Sequence, residues 1–245
     1  MAPPSKRART DDGAASSASA AAAAPASAIP MIGFGTHTLK GTAATRLTAQ
    51  ALAAGYACVD TASIYSNEAE VGAALQKWKG AAPYVITKLW RSKHGDPKKI
   101  TAEVRSSVRK LGKVDLWLLH WPHPGYPLAL PGVVARQCPS SGEWPVAKWR
   151  ELRAVTWREM AKARQAGTVG AVGLSNVGAR LLAEMTGDTG EVPALVQNEL
   201  HPLNYLASKP WIDWCTKRGV VVQAYVYYYS YYTTTTTTNY YYYHH

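Results

Sequence analysis

The chain is 245 residues long, with 47% hydrophobic residues and a net charge of +11, enough for one large α/β domain with a sizeable core. Its three cysteines, Cys58, Cys138 and Cys215, have no metal-ligand spacing and read as reduced thiols of a cytosolic protein, not as a disulfide frame or a metal site. No apolar stretch reaches the roughly 18 residues of a membrane helix, and the cations are scattered without a groove-reading motif, which argues against membrane and nucleic-acid partners.

Residues 1–28 are rich in Ala, Ser and Pro and carry no hydrophobic period, so a disordered tail is expected there. Within it, Lys6, Arg7 and Arg9 form a basic patch of the kind used in nuclear import. The protein is otherwise expected in the cytoplasm. From Ile29 the composition becomes globular. Met31 to Thr36 reads as a first strand, and Ala43 to Ala54 as a helix stopped by Gly55. Ala57 to Asp60 is a second strand. Glu68 to Trp78 is helical, with Val71, Ala74, Leu75 and Trp78 on one face. A strand over Tyr84–Lys88, a helix over Lys98–Leu111 and a strand over Asp115–His120 follow. Residues 121–148 carry many Pro and Gly and read as a long loop. The pattern then resumes with a helix over Trp149–Gln165, a strand over Val169–Leu174 and a short helix over Ala179–Met185. A strand over Ala194–Gln197, a helix over Pro210–Lys217 and a strand over Val220–Ala224 complete it.

This alternation predicts a parallel sheet wrapped by helices, a (β/α) barrel of about seven units spanning residues 29–225. Residues 226–245 form a low-complexity Tyr/Thr run that lacks the chemistry of an eighth strand and closing helix. The barrel is therefore expected to be incomplete, and the run reads like a simple nucleotide repeat translated out of frame. Exposed edges on the first and seventh strands could drive association of an otherwise monomeric protein. The glycine fingerprint of dinucleotide folds is absent, since Gly33-Phe-Gly35 lacks its third glycine and no helix follows at once.

Four polar residues stand out against the apolar runs. Asp60, Lys88 and His120 each close a predicted strand, and Tyr65 lies in the loop after Asp60. In a parallel barrel all strand ends point to one face, so the four are expected to converge. An ammonium beside a phenol stabilises phenolate, so Lys88 would lower the Tyr65 pKa from its ordinary value near 10. Asp60 would pair with Lys88 and offset its burial, and His120 would hydrogen-bond a substrate carbonyl. The reaction implied is protonation of a carbonyl oxygen while hydride reaches its carbon, and no side chain supplies hydride.

Five segments, Gly55-Tyr-Ala-Cys-Val-Asp60-Thr-Ala-Ser-Ile-Tyr65-Ser-Asn-Glu68, Thr87-Lys88-Leu-Trp90, Asp115-Leu-Trp-Leu-Leu-His120-Trp-Pro122, Gly173-Leu-Ser175-Asn176 and Gln197-Asn-Glu-Leu-His201-Pro202, resemble the aldo-keto reductases in order and interval. The resemblance covers residues 30 to 225. It implies an eight-stranded barrel that binds NADP(H) without a Rossmann domain and reduces aldehydes, ketones or aldoses. By it, Tyr65 is the proton donor, supported by Lys88, Asp60 and His120. Thr36, Asp60, Lys88, Ser175, Asn176 and Gln197 would contact the cofactor, Tyr225 would stack on its nicotinamide, and Trp90 and Trp121 would line the substrate pocket with Tyr65 and His120. Three departures stand beside the matches. Val226 and Tyr227 follow Tyr225 where the family continues Ser-Pro-Leu-Gly, and the later Lys-Ser…Arg phosphate grip has no counterpart. His37 replaces a pocket tryptophan and reads as a solvated strand-end residue or, as the alternative, as a variation of the substrate pocket. An alternative expectation is therefore a catalytically inactive barrel that serves as a binding or regulatory protein.

Overall fold

A computed structural model of the chain describes residues 29–122 and 146–226. The expected tail at 1–28, all but Val226 of the expected tail at 226–245, and most of the expected long loop lie outside the described residues. The described chain alternates strand and helix: β1 (Phe34–Gly35), α1 (Gly41–Ala53), β2 (Cys58–Asp60), α2 (Glu68–Lys77), β3 (Tyr84–Leu89), α3 (Pro97–Leu111), β4 (Leu116–Leu119), α4 (Val146–Gln165), β5 (Ala171–Ser175), α5 (Ala179–Thr189), β6 (Leu195–Glu199), α6 (Tyr205–Thr216) and β7 (Val221–Tyr225). The seven strands form one parallel sheet in sequential order. The sheet curls strongly, because Asp60 on β2 meets Gln197 on β6 at 2.6 Å across its interior. Among the described residues β7 does not pair back to β1.

Successive side chains of a strand face opposite sides, and that period explains both the core and the site. The outward set, including Val59, Val85, Trp117, Leu119, Val172, Leu174 and Val196, packs with helix residues such as Val71, Ile100, Trp157, Met160 and Leu182 in the larger apolar cluster. The inward set begins with Cys58, Ile86, Leu116, Leu118, Ala171, Leu195 and Val221, which form a second buried cluster with Ile29. Two residues further along the same faces the character changes to polar, at Asp60, Lys88, His120, Ser175, Gln197 and Gln223, all at most 5% exposed. The barrel interior is thus apolar where the strands start and polar where they end. Gly173 sits at the change of layer. A Cβ there would lie 2.5 Å from the Leu195 carbonyl oxygen and 2.6 Å from Leu118 Cδ2, so the sheet interior leaves no room for a side chain.

Several boundaries differ from the sequence reading. The first strand is two residues long, not six, and Met31 and Ile32 are more than half exposed. α4 starts at Val146, three residues into the segment read as loop. α5 runs on to Thr189 and ends at Gly190, whose φ of +73° is the left-handed stop that glycine adopts without strain. α6 starts at Tyr205, so that Pro210 lies inside it and not at its start. Cys58 and Cys215 are both buried. Among the described residues no helix is long and apolar enough to cross a membrane, and no cluster of metal-ligating side chains occurs.

Candidate active site

Each residue of the expected tetrad is carried by a strand end or the turn beside it. Asp60 is the last residue of β2, Lys88 is next to last in β3, and His120 follows β4 directly. Tyr65 ends a single 3-10 turn, Ser63–Tyr65, that brings its ring back over the strand ends, where it is 6% exposed. The structure brings all four together. The Lys88 ammonium is buried and donates to Asp60 Oδ1 and, at 3.0 Å, to the Thr61 carbonyl. Its Nζ lies 5.3 Å from the Tyr65 ring centroid. The His120 ring stands edge-on to Tyr65 with centroids 5.7 Å apart.

The electrostatics follow from this burial. Desolvation pushes the Lys88 ammonium below its ordinary value, and the Asp60 carboxylate opposes that shift. Burial holds His120 well below the usual histidine value, with Lys88, His37 and Arg91 adding to the effect. His120 is therefore a neutral imidazole at pH 7. Its Nδ1 has no hydrogen-bond partner among the described residues.

The residues expected at the cofactor are placed as follows. Thr36 is fully buried and spends its hydroxyl on the Asp60 carbonyl at 3.1 Å, tying the end of β1 to the end of β2. Ser175 ends β5. Asn176 follows it at a φ of +56° and reaches the His120 carbonyl at 2.8 Å and Ser175 Oγ at 3.2 Å through Nδ2. The Tyr225 hydroxyl donates to Asn176 Oδ1. Gln197 donates to Asp60 Oδ2 at 2.6 Å and also to Gln223 Oε1. A cavity of about 520 Å³ opens beside this group, lined by Trp121, Asn176, Asn198, Trp211 and Tyr225 among others. A second cavity of about 390 Å³ is lined by Ser63, Ile64, Ser66, Trp90, Ser92, Lys93 and Glu103.

Trp90 and Trp121, expected at the substrate pocket, stand on the Arg91 guanidinium at 4.8 Å and 5.6 Å, with Trp121 lining the first cavity and Trp90 the second. One placement differs from the sequence expectation. His37 is half-buried and not solvated, with its ring 4.7 Å from that of Tyr65. Burial, then Lys88 and Lys40, push its pKa down. The sequence leaves His37 between a solvated strand end and a pocket variation because its neighbour is set by the turn that folds Tyr65 back. Gln223 was also missed. Its signal was its spacing, two residues before Tyr225 on a strand whose alternate residues share a face.

The curled parallel sheet thus gathers a polar tetrad at its strand ends, the layout of a parallel β/α barrel with a site at that face. The sequence model of the Aldo/keto reductase family matches residues 31–238, and the chain belongs to that family. Over 206 residues it is 34% identical to aldo-keto reductase family 1 member A1 of Gallus gallus, covering 80% of this chain and 60% of that protein. It is 33% identical over 209 residues to glycerol 2-dehydrogenase (NADP(+)) of Saccharomyces cerevisiae, covering 80% and 64%. Among solved structures, an aldo/keto reductase from Brucella melitensis superposes with a TM-score of 0.65 at 30% identity, covering 80% of this chain and 68% of that one. A Bombyx mori aldo-keto reductase in complex with NADP gives 0.68 at 26% identity, covering 85% and 67%. The chain spans about three fifths of the length of the curated relatives it matches.

Proposed function

We propose that the protein reduces the carbonyl group of aldehydes or ketones to an alcohol, using NADP(H), with Tyr65 as proton donor. The observation that carries this reading is the buried Lys88 ammonium, anchored on Asp60 and 5.3 Å from the Tyr65 ring. A buried cation is costly unless it is paired, and here the pair is spent beside a phenol.

Asn176 and Tyr225 line the cavity of about 520 Å³, Ser175 is hydrogen-bonded to Asn176 and Gln197 to Asp60, and their hydroxyl and amide groups suit the carboxamide and ring of a nicotinamide. When bound, the nicotinamide supplies the hydride. The chain's own residues do the rest. His120, neutral and edge-on to Tyr65, hydrogen-bonds the substrate oxygen and fixes the carbonyl next to the phenol. Tyr65 gives its proton to that oxygen as negative charge develops on it. The phenolate left behind faces Lys88, and a cation so placed favours it over a phenolate in apolar surroundings. Asp60 keeps the ammonium at this post. Water then returns the proton to Tyr65 from the open end of the barrel.

The reading is tested by titrating the full chain with NADPH, followed by fluorescence, and by assaying aldehyde turnover with Tyr65→Phe as control. Micromolar binding with turnover lost in the variant is the expected result. A soluble, folded protein that binds no NADPH up to millimolar concentration would overturn it and leave the inactive, regulatory barrel.

A further inference from the structure

The polar layer of the barrel contains one side chain that the reaction above does not use. Gln223 lies on the interior face of β7, fully buried, in register with Gln197 on β6. Its Oε1 accepts a hydrogen bond from Gln197 Nε2, the same nitrogen that donates to Asp60 Oδ2 at 2.6 Å.

Charge fixes the direction of this chain. Asp60 is engaged by the Lys88 ammonium through Oδ1, and an ionised carboxylate only accepts hydrogen bonds. Gln197 must therefore turn its NH2 toward Asp60. One amide hydrogen goes to Asp60 and the other to Gln223, so the nitrogen is fully committed. Gln223 in turn must present its oxygen, which leaves its own Nε2 without a hydrogen-bond partner among the described residues. A fully buried amide nitrogen without a partner is costly, and an apolar residue of the same size would avoid that cost. Packing alone does not account for a glutamine here.

We infer that Gln223 is a positioning residue that makes Gln197 an acceptor alone toward its ligand. Asp60 turns the Gln197 NH2 inward, and Gln223, by taking the second amide hydrogen, leaves only the acceptor Oε1 to meet a ligand. This rests on the proposed NADP(H) reading, in which Gln197 meets the nicotinamide carboxamide. Gln197 then recognises the NH2 of that carboxamide and not its carbonyl. With Gln223 replaced by an apolar side chain, the freed amide hydrogen can also donate to a ligand carbonyl, so Gln197 no longer favours the cofactor's NH2 over a carbonyl alone.

The test compares two probes that differ only in that group: NADPH and its reduced 3-acetylpyridine analogue, which keeps the carbonyl and lacks the NH2. Dissociation constants are read by fluorescence titration of the full chain and of Gln223→Met and Gln223→Leu. The unvaried protein is expected to bind NADPH about five- to tenfold more tightly than the analogue, the worth of one neutral hydrogen bond. In both variants the ratio is expected to fall below about twofold, while the thermal midpoint stays level or rises because the unpartnered amide is gone. A merely structural role predicts the opposite pattern, a lower midpoint with the ratio unchanged, and that result overturns the inference while the NADP(H) reading stands. Failure of the unvaried protein to bind either dinucleotide overturns both. Gln197→Met combined with Gln223→Met provides the control: the double variant is expected to show the same ratio as either single one, and additive effects would count against the coupling.

Discussion

On the proposed reading, Tyr65, Lys88, Asp60 and His120 divide into a group that reacts and groups that hold it, and single substitutions should separate them. Tyr65→Phe removes only a hydroxyl, so it should lower kcat by about 10²–10⁴-fold, the worth of a positioned general acid, with the unfolding midpoint in urea unchanged. Lys88→Met is different in kind. It strands the Asp60 carboxylate in a fully buried position, and breaking a buried pair in this way costs about 3–5 kcal/mol, so chemical denaturation should register the loss together with loss of turnover. A variant of undiminished stability would refute the anchoring role given to the pair. At this scale the tetrad was legible in the sequence because each member interrupts or follows an apolar run at the end of a strand. His37 and Gln223 were not. His37 acquires its meaning from a turn that brings Tyr65 to it, and Gln223 sits inside an apolar strand where only the alternation with Tyr225 marks its face.

The elements were legible wherever local pattern and tertiary packing agree. β3 and β4 are apolar runs between helix stops, and both appear within a residue of their expected bounds. The reading failed where packing overrides composition. The last turn of α5 contains Gly187 and reads as a loop, yet Asp188 in that turn receives two hydrogen bonds from Arg150 of α4, at 2.7 and 2.6 Å, and stays helical. Contacts between elements also set two testable limits. α2 and α3 approach so closely that a Cβ on Gly72 would lie 1.7 Å from the Lys110 carbonyl oxygen. Gly72→Ala must force the helices apart, at a cost of about 1–3 kcal/mol or more, whereas the same exchange in an open helix would stabilise. On α4, Thr156 Oγ1 accepts from the Gly95 N–H at 2.9 Å and pairs with His94 Nδ1 at 3.0 Å, holding α4 to the loop ahead of α3. Thr156→Val keeps the shape and removes these bonds, and a loss of about 1–3 kcal/mol is expected from the groups left unpaired, measured by the denaturant midpoint.

For the whole molecule, the site leaves a signature in how stability depends on pH. His37 and His120 both titrate below the ordinary value of 6.5 in the folded state, chiefly because they are desolvated. As pH falls, the unfolded chain takes up those protons first. The stability linked to the two groups is therefore complete above about 6.5 and is lost progressively as pH drops from there through the folded values. Urea midpoints should fall between pH 7.5 and 5, and His120→Gln should show a shallower fall. An identical slope in that variant would place the dependence elsewhere. The same inward layering has a consequence for proton supply. Cys58, Ile86, Leu116, Leu118, Ala171, Leu195 and Val221 close the starting end of the sheet as a greasy floor. The molecule is in this respect a cup and not a tube. On the proposed reading, a proton that Tyr65 gives up is replaced from the rim that admits the substrate, so a bulky product lingering at that rim would delay recharging of the acid as well as its own departure.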